Sequence, residues 1–296
     1  MASLEGGCDA RGRCANAVTI DAHQHFWSLA RGDYDWLTDA PGALHRDFLP
    51  GELQPQHDAA GIVGSVLVQA APTVAETRFL LGLAARLPGV RGVVGWIDVR
   101  SSAAMHQLRV FAADPNFRGI RPMLQEFTDI AWLLDDVVQP VMRALIEHDL
   151  SFDALIRADQ MATITTLAAT YPELQIIVDH GAKPPVASGK IVDWAEALAR
   201  LAEQPGVSCK LSGLISEAAP GAPIDVVAPY AGAIMASFGA NRVMWGSDWP
   251  MLVTHTTMTA WHDWCRAFVT PYGAAAVRDV FGQTAARVYR LVEVRE

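Results

Sequence analysis

Cysteine is scarce in this chain: four residues in 296, at positions 8, 14, 209 and 265, with only Cys8 and Cys14 near each other. That number and spacing exclude a disulfide framework, and the first two lack the second ligand pair of a zinc module. No apolar run reaches the roughly 18 to 20 residues of a membrane span, and residues 1–17 (MASLEGGCDARGRCANA) lack the apolar centre of a secretory signal. A cytoplasmic location follows as the expectation, with 1–17 a flexible leader and 18–296 one domain. Basic clusters are missing as well. The net charge of −9 is spread along the sequence, so neither nucleic acid nor a membrane surface is an expected partner. Linkers, repeats and low-complexity tracts are also lacking, and 51% hydrophobic residues can bury a large core.

What is present is an alternation of short apolar runs with longer helical patterns, the sign of repeated βα units around a parallel sheet. Eight strands are predicted: AVTIDAHQHF, VGSVLVQA, GVVGWIDV, FRGIRPML, LSFDALI, LQIIVDH, VSCKLSG and RVMWGSDWP. Most are nearly all apolar, as strands covered on both faces must be. Between them, Thr73 and Glu76 make a capping box for a helix over 74–87, and KIVDWAEALARLAEQPG is a helix with a Pro-Gly stop. The count predicts a single α/β barrel of the closed (β/α)8, or TIM, type.

In such a barrel the chemistry gathers where strands end and βα loops begin. The polar residues sort that way. Asp21, His23 and His25 share parity at the end of strand 1, which places them on one face. Arg121 lies on strand 4, Asp179 and His180 end strand 6, and Asp248 ends strand 8. One histidine in an apolar strand is ordinarily a satisfied core residue, but four strand ends agreeing is hard to assign to packing.

On DAHQHFW, VLVQA, GWIDV, FRGIRPML, VDHGAKPPV, CKLSGL and WGSDWP, in that order, and on FGQTAARVYRL as a closing helix, the chain from about 18 to 292 resembles the amidohydrolase superfamily. The likeness is to amidohydrolase-related family 2 and its branch of lactonases acting on fucono-, rhamnono- and pyrone-dicarboxylate lactones. The resemblance implies a metal-dependent-hydrolase-like barrel. It implies that His23, His25, His180 and Asp248 match ligand positions for a divalent metal, zinc or manganese. Two positions depart from that pattern: Asp153 stands where strand 5 would carry a histidine, and Arg121 where binuclear members carry a bridging group. Arginine is always cationic and repels a second metal, while it suits the polarisation of a carbonyl. The expectation is therefore no required cofactor and at most one weakly held ion.

The activity implied is a carboxylic ester hydrolase that opens a small sugar lactone. Asp248 takes a proton from water, the water attacks the carbonyl, and His23, His25, His180 or Arg121 stabilises the oxyanion. Trp27 and Trp249 are predicted to flank the pocket, with Lys183 reaching ligand oxygens. Lys210, inside an apolar strand, calls for an ion pair. The segment SLARGDYDWLTDAPGALHRDFLPGEL is a lid candidate that brings Tyr34, Trp36 and Arg46 over the site. Two alternatives stand beside this reading: a metal-dependent decarboxylase of the same superfamily, and a non-catalytic sugar-binding barrel.

Overall fold

A computed structural model describes residues 18–38 and 42–291; the leader 1–17, with Cys8 and Cys14, lies outside the described residues. Eight strands form one parallel sheet in sequence order: β1 (Thr19–Gln24), β2 (Ile62–Val68), β3 (Val90–Gly95), β4 (Phe117–Ile120), β5 (Ser151–Ala154), β6 (Ile176–Val178), β7 (Val207–Leu211) and β8 (Val243–Trp245). The helices α1 (Pro50–Ala60), α2 (Val74–Ala84), α3 (Ala104–Ala112), α4 (Gln139–Glu147), α5 (Met161–Thr170), α6 (Ile191–Ala202) and α7 (Ala228–Phe238) fill the crossovers. After β8 come α8 (Met258–Val269), α9 (Ala274–Arg278) and α10 (Thr284–Val288). This is the (β/α)8 barrel expected from the pattern. The strands are shorter than their apolar runs, so Asp179, His180 and Asp248 fall just beyond β6 and β8, on the loops that follow. Among the described residues no helix is long and apolar enough to cross a membrane.

Local chemistry explains the element ends. Thr73 caps α2 by accepting the Glu76 N–H at 3.0 Å, but the reciprocal half of the predicted box is absent. The Glu76 carboxylate turns instead to the Ala70 N–H and the Tyr34 hydroxyl. Two layers of core follow from the strand alternation. Ile20, Ala22, Val66, Val68, Val94, Ile177 and Met244 fill the barrel interior together with Val288, Tyr289 and Leu291 from α10 and its end. The larger cluster lies between sheet and helices.

The barrel closes between β1 and the segment after β8. His25 N–H donates to Trp249 O and Asp248 N–H to His23 O, both at 2.8 Å. Asp21 Oδ1 accepts the Ser247 N–H at 2.8 Å and the His23 N–H at 3.1 Å. The shared parity predicted for Asp21, His23 and His25 fails at Asp21. The pairing of β1 with β2 shifts register between Asp21 and Gln24, which breaks the simple alternation. Asp21 therefore faces the helix layer, its Oδ2 3.6 Å from His57 Nε2 of α1, while Ile20 and Ala22 point inward.

Asp21→Ala would leave the buried Ser247 N–H without its acceptor, at a cost of about 1–3 kcal/mol. Urea unfolding of this variant is expected to show a lower midpoint with an unchanged slope.

Candidate active site

Beneath the barrel mouth a lysine organises the charges. Lys210, on β7 and fully buried, puts Nζ 2.7 Å from Asp153 Oδ2, 2.9 Å from Asp179 Oδ1 and 2.9 Å from His23 Nδ1. The ion pair expected for Lys210 is present, and its partner Asp153 also accepts from Tyr289 Oη at 2.5 Å and Ser151 Oγ at 2.9 Å. An ammonium can only donate, so His23 Nδ1 accepts and the ring hydrogen sits on Nε2. Burial, and then the Lys210 charge, hold His23 neutral well below the usual imidazole range. Burial alone would favour a protonated Asp179, but the Lys210 charge overrides it and holds that carboxyl well below the usual range.

The reacting face lies above. His23 Nε2 is 3.2 Å from His25 Nε2, and His25 Nδ1 donates to Val68 O at 2.8 Å, which leaves its Nε2 as an acceptor. Asp248 Oδ1 lies 3.4 Å from His25 Nε2 and 3.7 Å from the Nε2 atoms of His23 and His180. It is buried and makes no hydrogen bond. Burial works against ionisation of Asp248, yet His180, His25 and His23 outweigh it and keep the carboxyl below its usual range. His180 Nδ1 is 2.8 Å from Ser212 Oγ, and burial keeps this imidazole below its ordinary value. Arg121 Nη2 donates to Gln69 O, and Nη1 is 3.4 Å from His23 Nε2 and 3.5 Å from Asp179 Oδ2.

Backbone geometry holds these side chains in place. His180, Gly181, Ala182 and Lys183 all have φ between 50° and 60°, a full left-handed turn that costs an L-residue about 1–2 kcal/mol each. Lys183 N–H to His180 O at 3.0 Å and Trp194 Nε1 to Gly181 O at 2.8 Å stabilise it. Gly213, at φ +64°, has no side chain because a Cβ there would stand 2.5 Å from His180 Nδ1.

A cavity of about 180 Å³ opens on this face, lined among others by His25, Trp27, Trp36, Arg121, His180, Lys183 and Asp248. The predicted residues that do not line it are His23, Trp249 and Tyr34. His23 lies one layer down on Lys210. Trp249 is packed edge-on between Phe26 and Phe48. Tyr34 donates to Glu76 Oε2 at 2.7 Å, and Arg46 turns outward to Glu52 over the Phe48 ring. Nine further wall residues are absent from the predicted site: Ala70, Met123, Gln125, Glu126, Leu155, Gly213, Ser216, Glu217 and Met251. They lie beyond the strand ends, and nothing in the sequence pattern distinguishes them from other loop or apolar residues. Burial pushes the Glu126 carboxyl up, partly countered by Arg121.

The donors fit one divalent ion. Zinc at about 2.0–2.1 Å from tetrahedral ligands implies ligand–ligand edges of roughly 3.3–3.4 Å, close to the 3.2, 3.4 and 3.7 Å separations among His23, His25 and Asp248. The orphaned Asp248 Oδ1 is the kind of atom a cation satisfies. A ligating His23 Nε2 requires the ring hydrogen to move to Nδ1, where Asp179 Oδ1 lies 3.4 Å away and the bond from Lys210 would be given up. His23, Asp179 and His180 form a second cluster, but Lys210 and Arg121 already stand against its carboxylate.

The family model described as amidohydrolase matches residues 20–291. This chain belongs to the amidohydrolase family. An L-fucono-1,5-lactonase of Burkholderia ambifaria is 44% identical over 276 residues, 92% of this chain and 95% of the relative. An L-fucono-1,5-lactonase of Burkholderia multivorans is 32% identical, over 94% of this chain and 97% of its own. A crystal structure of an amidohydrolase from Burkholderia multivorans with bound zinc superposes with a TM-score of 0.87 at 32% identity, covering 93% of this chain and all of the other.

This amidohydrolase roofs its cavity with the loop after β1, where Trp36 Nε1 donates to Ala70 O at 2.8 Å. That loop is anchored on Glu76, which takes Tyr34 Oη and the Ala70 N–H and lies 3.3 Å from Arg31 Nη2. Burial raises Glu76 to about 7, against the pull of Ala70 N–H, Tyr34 and Arg31, from an ordinary value of 4.5. A folded-state value above the unfolded one gives stability that is complete below about 4.5 and lost as pH rises through about 7. The difference in unfolding free energy between wild type and Glu76→Gln is expected to fall by up to about 3 kcal/mol across that window, about 1.4 kcal/mol per unit. A difference that stays flat from acid to neutral pH would show that Glu76 does not titrate in the folded protein.

Proposed function

We propose that this amidohydrolase opens the ring of a small sugar lactone, with L-fucono-1,5-lactone as the first substrate to test. The observation that carries the reading is Asp248 Oδ1. It is a buried carboxylate oxygen with no hydrogen bond that faces a cavity holding the Arg121 guanidinium. The names of the two curated relatives support the same chemistry and set the decarboxylase and sugar-binding alternatives behind it.

Asp248 takes a proton from a water in the cavity as that water's oxygen bonds to the lactone carbonyl carbon. Arg121 and His180 hold the developing oxyanion. The tetrahedral centre then collapses, the ring C–O bond breaks, and Asp248 returns the proton to the departing alkoxide. The product is a hydroxy acid, which ionises. Asp248, held as a carboxylate, is a weak base. The burden therefore falls on preorganised charge, and the Lys210, Asp179 and Asp153 layer below supplies it by fixing His23 and Arg121. Trp36 offers an apolar face to the C–H face of the sugar ring, with the fully buried Trp27 packed edge-on against it.

His23, His25, His180 and Asp248 would hold a divalent ion, which when bound supplies Lewis-acid polarisation of an oxygen. An ester has a better leaving group than an amide and asks for less activation, so Arg121, His180 and Asp248 can carry the reaction without it.

Asp248→Asn keeps shape and removes basicity, and its turnover is expected to fall by at least about 10²-fold. Near-native turnover in the folded variant would sink the mechanism. Enzyme stripped by a chelator should keep a substantial share of its rate in a pH-indicator assay. Complete loss restored by one equivalent of zinc or manganese would overturn the metal-independent part of the reading.

A further inference from the structure

The cavity walls carry two cations, Arg121 and Lys183, against three acidic side chains, Glu126, Glu217 and Asp248. Neither cation is spare at the sill, since Arg121 is committed to the reacting oxygen in the reaction proposed above. Arg121 is engaged by Gln69 O and Asp179, and Lys183 Nζ donates to Glu217 Oε1 at 2.5 Å. The Lys183–Glu217 pair stands at a particular place. A second, outer cleft of about 540 Å³, lined also by Arg157, Asp159 and Pro185, shares Lys183, Glu217, Gln125 and Glu126 with the inner cavity. The pair therefore forms the sill between the reacting face and the exterior. Beside it the Ser216 hydroxyl is buried without a partner and lines the inner cavity, so a neutral polar group finds a hydrogen-bonding position there.

We propose that the Lys183–Glu217 pair is a charge filter: it admits neutral hydroxylated lactones, rejects lactones that bear a carboxylate, and drives out the anionic product. This rests on the lactonase reading, because ring opening converts a neutral ligand into an anion inside the same walls. Glu217 cancels Lys183, so the new carboxylate meets Glu126 and Asp248 with no spare cation at the sill. Removing Glu217's charge frees Lys183 to grip the product, and removing Lys183's charge leaves Glu217 to repel it. The two changes act in opposite directions, which a merely spatial role for the pair would not do.

The test reads binding by calorimetry, using L-fuconate as the anion and L-fucono-1,5-lactam as its neutral, hydrolysis-resistant counterpart. In Glu217→Gln the ratio of fuconate to lactam affinity is expected to rise by about 10- to 30-fold, and in Lys183→Met to fall by a similar factor, the size of one unit charge several ångströms away at an effective dielectric near 20. Product inhibition by fuconate should follow the same order. Ratios that stay level, or that move the same way in both variants, would overturn the filter, and either variant alone suffices if the other does not fold. The ratio is obtained without turnover. A wild type that opens no lactone in the indicator assay overturns the lactonase reading, whereas one that opens lactone while the ratios stay level overturns the filter alone.

Discussion

The buried ammonium of Lys210 is the interaction on which the site depends. An unpaired lysine in the interior of a barrel would be costly, and removing one partner of a buried pair typically costs about 3–5 kcal/mol. Here the charge is met by Asp153 of β5, Asp179 after β6 and the ring of His23 on β1. Three strands that are not all neighbours are thus tied to one atom. Because Lys210 donates to His23 Nδ1, it also decides which nitrogen of that ring bears hydrogen, and through His23 it sets the spacing to His25, Arg121 and Asp248.

The result is a site in two tiers. The lower tier is a closed set of charges and donors with Tyr289 and Ser151 completing Asp153. The upper tier is left incomplete, with Asp248 Oδ1 lacking a hydrogen bond and three histidine nitrogens around it. Four of the six described non-glycine residues with positive φ, His180, Ala182, Lys183 and Asp248, lie in the upper tier. Sites that must present polar atoms to a ligand store unsatisfied bonds and awkward backbone, and the surrounding structure compensates.

Much of this was legible in the sequence, for a physical reason. Strands covered on both faces read as continuous apolar runs, so the eight strands stood out, and the polar residues that end them stood out against that background. Asp21 was misread because alternation assumes an unbroken pleat, and the register shift after it turns its carboxylate to the helices. Trp249, at the end of strand 8, and Tyr34, in the segment after strand 1, stand close enough to the mouth in sequence to be expected at the cavity, but position in the chain does not reveal that one packs on Phe26 and Phe48 and the other is held by Glu76. Lys210 announced that it needed a partner but not which one, since Asp153 is 57 residues distant. The wall residues Ser216, Glu217 and Glu126 left no trace, because loop side chains meet only once the barrel has closed.

The hydroxyl of Tyr289 reaches into the barrel to Asp153, 136 residues earlier, and its neighbours Val288 and Leu291 share one buried cluster with inner-face residues of β1, β2, β3, β6 and β8. The barrel is thus stoppered from below by one of the last segments of the described chain to be made. During synthesis the strands bearing Lys210, Asp153 and Asp179 all emerge before that stopper, leaving the charge cluster open at its base to water until α10 docks. Completion of this charged layer is thereby a late event in the life of each molecule, and a nascent chain arrested before α10 would carry the histidines and Asp248 on an unsealed foundation.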